Sequence, residues 1–156
     1  MSVRIFFSLL IFFIMASIGS FLFIHHWEDT KRVPQSPCYS VIKEGRFIGN
    51  DLQPYTFDGI ITWWPKKEQM SIFGIKKTDK DVLVVKQTVQ LSDVTQYENA
   101  IYGRVGLIDI PIDSQATLSS TLNKKGASVS LIFKPVSERK WLMMMNDNWV
   151  SMCEKK

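Results

Sequence analysis

Residues 55–91 read YTFDGIITWWPKKEQMSIFGIKKTDKDVLVVKQTVQL, and their punctuation decides the fold. The run 55–64 is aromatic and β-branched and stops at Pro65, which predicts a strand. Lys66-Lys67 makes the next turn. Residues 69–76 then alternate, with Met70, Ile72 and Gly74 on one side and Ser71, Phe73 and Ile75 on the other. Thr78-Asp79-Lys80-Asp81 is a second turn. Residues 82–91 are apolar on both faces at first and alternate afterwards, as a strand does when it enters a core and leaves it.

The same grammar extends in both directions. Upstream, residues 38–47 open the domain, with Val41 and Ile42 before Lys43-Glu44-Gly45, and Gly49-Asn50-Asp51 with Pro54 marks a loop. Downstream, the polar stretch 93–99 is expected to be a loop carrying Tyr97. Residues 101–110 form the next strand, where Gly103 and Gly106 predict a bulge or sharp bend. In 113–122, Ala116, Leu118 and Leu122 follow the N-cap-competent Asp113 and Ser114 and precede Asn123-Lys124-Lys125-Gly126. That spacing predicts one short helix. Strands are expected again at 128–134, 140–145 and 149–153. Seven or eight short strands with one helix imply a mostly antiparallel sheet, curled into a barrel or half-barrel.

Ahead of this domain lies IFFSLLIFFIMASIGSFLFI, residues 5–24, without an Asp, Glu, Lys or Arg. A helix of that length spans about 30 Å, the hydrocarbon thickness of a bilayer. Ser17-Ile18-Gly19 has the small residues of a cleavage site. The apolar run nevertheless continues past it and ends in His25-His26-Trp27, an interfacial edge, which favours an uncleaved anchor. Arg4 and the amino terminus precede the span, while Glu28, Asp29, Lys31 and Arg32 cancel after it, so the amino terminus is expected inside. The reading is therefore residues 1–4 cytoplasmic, 5–24 transmembrane, 25–37 a Pro-containing linker, and 38–156 a β-rich extracytoplasmic domain.

The domain's composition narrows its chemistry. After Arg32 there are 16 Lys and Arg against 13 Asp and Glu, spread as Lys66-Lys67, Lys76-Lys77, Lys124-Lys125 and Lys155-Lys156. Turn-side pairs of this kind are solvated charge, not a nucleic-acid footprint. Both histidines, His25 and His26, sit beside the span, where they are interface filler or report acidity near pH 6.5. The domain itself has none, which removes the usual Ser/His/Asp and Cys/His catalysis and most metal sites. Asp58, Asp109 and Asp113 are the only carboxylates near strands for glycoside chemistry. A non-enzyme without cofactor or metal is expected. The two cysteines, Cys38 and Cys153, lie near the domain's two ends in an oxidising compartment. A disulfide is expected, with two free or separately buried thiols as the alternative.

What the domain has in excess is aromatic and sulfur side chains on its strands. Trp63, Phe73, Trp141, Met143, Met145 and Trp149, with Tyr97 on its loop, form the candidate ligand or partner surface. Alternation puts Trp141, Met143 and Met145 on one face and Leu142 and Met144 on the other. One face packs the core and the other meets a partner, an apolar ligand or a second layer of the domain. If the sheet is not fully closed, its edge also invites a partner's strand.

An amino-terminal anchor, SPCYSV after it, DIPIDSQATLSSTL after a central strand, and WLMMMNDNWVSMCEKK at the end resemble the FidL-like and ToxS-like inner-membrane proteins of enteric bacteria, including the companions of fimbrial regulators of the PsaF and MyfF type. The resemblance implies a lipocalin-like periplasmic domain stapled by Cys38 and Cys153 behind an inner-membrane anchor. It further implies a non-enzymatic accessory that forms a heterodimer with a ToxR-like membrane-bound transcription regulator in virulence or fimbrial gene control. By the same analogy the strand aromatics line a cavity or partner seam, and the barrel accepts a bile salt or other apolar molecule or responds to acidity. The alternatives from the residues are an autonomous apolar-ligand binding protein, or a structural or chaperone subunit of a surface organelle.

Overall fold

The structure, a computed structural model, describes residues 3–49, 53–119, 121–146 and 149–155, without the side chains of 3–6, 25–31, 149 and 150. The expectations placed on the side chains of His25, His26 and Trp149 lie outside what is described. The chain forms two units, Met1–Lys31 and Arg32–Lys156.

The first unit is helix α1, which runs over Val3–Arg32. Its segment Phe7–Ile24 is long and apolar enough to cross a membrane, and none of it is buried. The helix continues beyond the apolar run, so of residues 25–37, read as a linker, only 33–37 are irregular. Pro34 supplies the stop, because a proline ring disfavours helical backbone in the residue before it.

The second unit is an eight-stranded antiparallel barrel of lipocalin-like form. Its strands are β1 (Cys38–Ile48), β2 (Pro54–Trp64), β3 (Gln69–Lys77), β4 (Val82–Tyr97), β5 (Ala100–Asp109), β6 (Ser128–Ser137), β7 (Lys140–Met145) and β8 (Trp149–Lys155). Each strand pairs with the next, and β8 closes on β1. An edge was expected to invite a partner's strand only if the sheet stayed open, and the barrel is closed. β4 and β6 are longer than the sequence implied: β4 absorbs most of the loop expected at 93–99, and β6 runs three residues past the strand expected at 128–134. β4 survives its polar half by bulging: the register passes from Ser92–Arg104 to Thr95–Tyr102, stepping over Asp93 and Val94 on β4 and Gly103 on β5. It also skips Gly106, in accord with the bend that the two glycines imply.

Inward positions make one core. Trp63, Met70 and Val89 share a level with Cys38, and Ile61 and Ile72 lie one level along with Ser40 and Gln87. Phe57 lies over an inward cross-strand pair of glycines, Gly59 and Gly74. A Cβ on Gly74 would meet the Phe57 ring at 2.7 Å and the Asp58 carbonyl at 2.4 Å, so the ring occupies the space the two missing side chains leave. At the chain's entry Val33 and Pro34 are buried, and the Cys38–Cys153 disulfide, with Cα atoms 5.5 Å apart, staples β1 to β8.

Among the described residues of 113–122 the expected helix does not form; Thr121–Asn123 make a 3-10 turn. Residues 110–119 and 121–127 instead belong to a strap across the other end of the barrel. β5 pairs with β4 only from Thr88 onward, which leaves the first half of β4 with an open edge, and the strap covers it. The amides of Gln115 and Ala116 donate to the Val84 carbonyl, Val84 N–H donates to Gln115 Oε1, and Lys86 N–H donates to Ser114 Oγ. Leu118 and Leu122 then enter the barrel mouth and are fully buried. Their four-residue spacing mimics a helical stripe. The backbone hydrogen bonds available on β4 decide for the extended form.

Candidate functional site

The outer wall of β1, β2 and β3 carries an apolar row set by register. Val41 lies opposite Ile60, Ile60 opposite Phe73, and Phe73 opposite Lys86 on β4. All three apolar side chains point away from the core, with 52%, 41% and 58% of their surface exposed, and Ile75, two positions further along β3, extends the patch. Isolated exposed apolar residues are ordinary, but four adjoining ones on a rigid sheet form a contiguous patch of the kind that marks an interaction site.

Charged pairs frame the row. Lys86 Nζ lies 5.8 Å from the centre of the Phe73 ring and pairs with Asp113 on the strap. On the other side, Asp58 accepts a hydrogen bond from the Glu44 backbone N–H, presented by a β1 bulge in which Glu44 takes φ 50°, and pairs with Lys77 Nζ at 2.9 Å. The Glu44 amide first, and then the Lys77 ammonium, hold the Asp58 carboxyl below the usual carboxylate range; Lys77 is raised by the same contact. Asp113 is lowered by its hydrogen bond from Lys86. Two of the three carboxylates considered for glycoside chemistry are thus engaged with lysines on the barrel's outside. Among the described residues no three His, Cys, Asp or Glu side chains gather as a metal site.

The residues proposed from sequence as one ligand or partner surface divide between two places. Trp63, Trp141, Met143 and Met145 face the barrel interior and are buried. Phe73 and Tyr97 are outside, Phe73 in the apolar row and Tyr97 at the turn between β4 and β5, 70% exposed. Leu142 and Met144 take the outer face opposite Trp141 and Met143, as alternation requires, and are half-buried. Val41, Ile60 and Ile75 were not among the expected site residues. Each is an ordinary strand residue by itself, and only the pairing of three strands brings them beside Phe73.

The interior has a polar side as well. Ser40, Ser151, Trp63 and Trp141 place hydroxyl or indole N–H groups in the core without a hydrogen-bond partner among the described residues, as does Gln87 with its Oε1. At the strap end two buried donors find carbonyls of the strap. Tyr55 Oη donates to the Leu118 carbonyl at 3.1 Å and Gln87 Nε2 to the Leu122 carbonyl at 3.0 Å. Lys76, one of the pairs read as solvated turn charge, turns inward, with Nζ 4.3 Å from the centre of the Tyr55 ring and 3.4 Å from the Thr117 carbonyl. Burial raises the Tyr55 phenol above its ordinary pKa. Comparisons with protein-family models, curated proteins and solved structures find no match to this chain.

Proposed function

We propose that this chain is a membrane-anchored accessory protein that works by binding, its barrel docking on the extracytoplasmic domain of a single-pass partner in the same membrane. The observation that carries the reading is the exposed row Val41, Ile60, Phe73 and Ile75 on a closed barrel, which offers a partner a sheet face in place of an edge. A shared bilayer raises the effective concentration of the two domains, so a patch of this size suffices for association. The partner class is the one the layout implies, a ToxR-like transcription regulator whose level or active form the barrel supports. In this reading the carboxy-terminal barrel lies in the periplasm and the amino terminus in the cytoplasm, as the charges flanking the span favour.

The test combines deletion with a surface variant. Deleting the gene is expected to lower the regulator's level or its target transcription, and Phe73→Glu with Ile60→Glu is expected to reproduce that loss while the barrel stays folded by circular dichroism. Unchanged regulator and transcription in both strains would sink the proposal.

A second reading, an autonomous carrier of an apolar ligand, draws support from the unpartnered polar atoms of Ser40, Ser151, Trp63 and Trp141 inside the barrel. A bile salt added to the full chain is then expected to change the tryptophan emission saturably without any partner. Emission that changes only in step with micelle formation counts against it.

A further inference from the structure

On the wall of the barrel formed by β4, β5 and β6 lies a shallow groove of about 340 Å³. Its floor is a register block of outward residues, with Tyr102 opposite Ser130 and Arg104 opposite Ser128. One flank is the β4 bulge, where Asp93 lines the groove with φ 52°; the other is Asn146 at the end of β7, with φ 48°. Two non-glycine residues in the left-handed region therefore border one groove. Asp and Asn are the non-glycine residues that adopt this backbone most readily, so both positions suit a bulge and a turn at the borders of the groove.

The lining specifies a chemistry. Tyr102 is 46% exposed, so part of its ring is available as an apolar platform. Around it stand two hydroxyls, one amide, one guanidinium and one carboxylate. Asn146 Oδ1 accepts from the Ser130 N–H at 2.8 Å and from the Ser130 hydroxyl at 3.4 Å, so in this pair the amide oxygen is occupied, while the Ser130 hydroxyl keeps its capacity to accept. Arg104 and Asp93 balance in charge, so the groove has donors and acceptors in quantity and no net charge. That excludes a phosphate backbone, which needs a surplus of cations. A peptide side chain is also a poor match, because its anchor needs a deep apolar pocket. A pyranose ring suits the arrangement: its C–H face lies on an aromatic ring while its hydroxyls exchange hydrogen bonds with Ser, Asn, Asp and Arg.

We propose that the groove lined by Tyr102, Arg104, Asp93, Ser128, Ser130 and Asn146 binds an uncharged saccharide, with Tyr102 as the stacking platform and Arg104 and Asp93 as the orienting pair. The site is separate from the apolar row on β1, β2 and β3 and does not depend on the partner reading.

The full chain, held in a micelle of a detergent that contains no sugar, is titrated with tri-N-acetylchitotriose and with maltotriose while amide chemical shifts are followed by NMR. Saturable shifts centred on 102–104 and 128–130 are expected for at least one of them, with a dissociation constant of about 1 mM, as suits a shallow polar site. Tyr102→Ala is expected to weaken binding at least about tenfold, Tyr102→Phe to keep most of it, and Phe73→Glu to leave it unchanged. Because Tyr102 is a partly exposed surface residue, Arg104→Gln serves as the second variant, with a weakening of the same sign. No saturable shift for either saccharide, shifts that map elsewhere, or binding that survives both Tyr102→Ala and Arg104→Gln would overturn the assignment.

Discussion

Breaking the Cys38–Cys153 bond tests the architecture at its weakest seam. β2 and β3 are in register from Thr56–Lys77 to Trp64–Gln69, whereas among the described residues β1 and β8 pair only through Cys38–Lys155 and Tyr39–Glu154. The disulfide therefore supplies the closure that backbone hydrogen bonding supplies at the other seams. It spans 115 residues, and the chain-entropy relation for a loop of that length gives about 5 kcal/mol at 25 °C. Against a total of about 5–15 kcal/mol for a domain, this is a large share of the stability. It converts to a fall in Tm of about 20 °C for a barrel of this size. The measurement is denaturant unfolding of the full chain in micelles, followed by tryptophan emission, for three species: oxidised protein, protein under reductant, and the Cys38→Ala/Cys153→Ala double variant. Alanine is chosen because both positions are fully buried and serine would bury a hydroxyl. Hydrogen exchange at the Tyr39 and Glu154 amides is expected to rise in the reduced protein by more than exchange at β2 and β3. A loss below about 1 kcal/mol, or exchange that rises evenly around the barrel, would refute the claim that the bond holds the closing seam.

The other predictions concern packing and charge. Gly74→Ala places a methyl group against the Phe57 ring and the Asp58 carbonyl, so it is expected to destabilise by about 1–3 kcal/mol or more in the same unfolding assay, and a neutral result would mean that the β2–β3 backbone is free to shift. Leu122→Ala removes one of the two leucines that close the barrel mouth and is expected to cost about 2–5 kcal/mol. If the strap is a loose surface loop, that loss falls below about 1 kcal/mol. Asp58 has a lowered pKa in the folded state, so its contribution is complete above the unfolded carboxylate value near 4 and is lost as pH falls through the lower folded value. Thermal melts of wild type and Asp58→Asn are therefore expected to differ at neutral pH and to converge as pH drops below about 4. A gap that stays constant down to the acid limit contradicts the assignment.

Much of this architecture is legible one residue at a time. Pro65, the Lys66-Lys67 turn and the 78–81 turn partition β2, β3 and β4 without reference to anything distant, because turn chemistry and two-residue alternation are local. The inward faces of Trp141, Met143 and Met145 result from the same alternation. The strap fails that kind of reading. Ala116, Leu118 and Leu122 are spaced for a helix, yet their backbone has a stronger alternative in the open edge of β4, and that edge exists only because β5 starts its pairing at Thr88. The candidate sites are less legible still. Val41, Ile60 and Phe73 lie on three strands, and Tyr102, Ser130 and Asn146 on three others, so each surface is defined by register and not by any one segment.

The amino-acid sequence by itself determined the apolar span, most strand boundaries, the cysteines near the two ends of the β-rich domain and the absence of histidine within it. These are properties of composition and short-range order, which need no knowledge of which strands are neighbours. The tertiary structure decided that the sheet closes, that the bulges at Glu44 and Asp93 turn their strands, that the strap crosses one end, and that the apolar row faces outward while the tryptophans Trp63 and Trp141 face in. The reason is that hydrogen-bond register couples residues far apart in the chain. One bulge reverses the facing of every later residue in its strand, and no local pattern records where the partner strand places it.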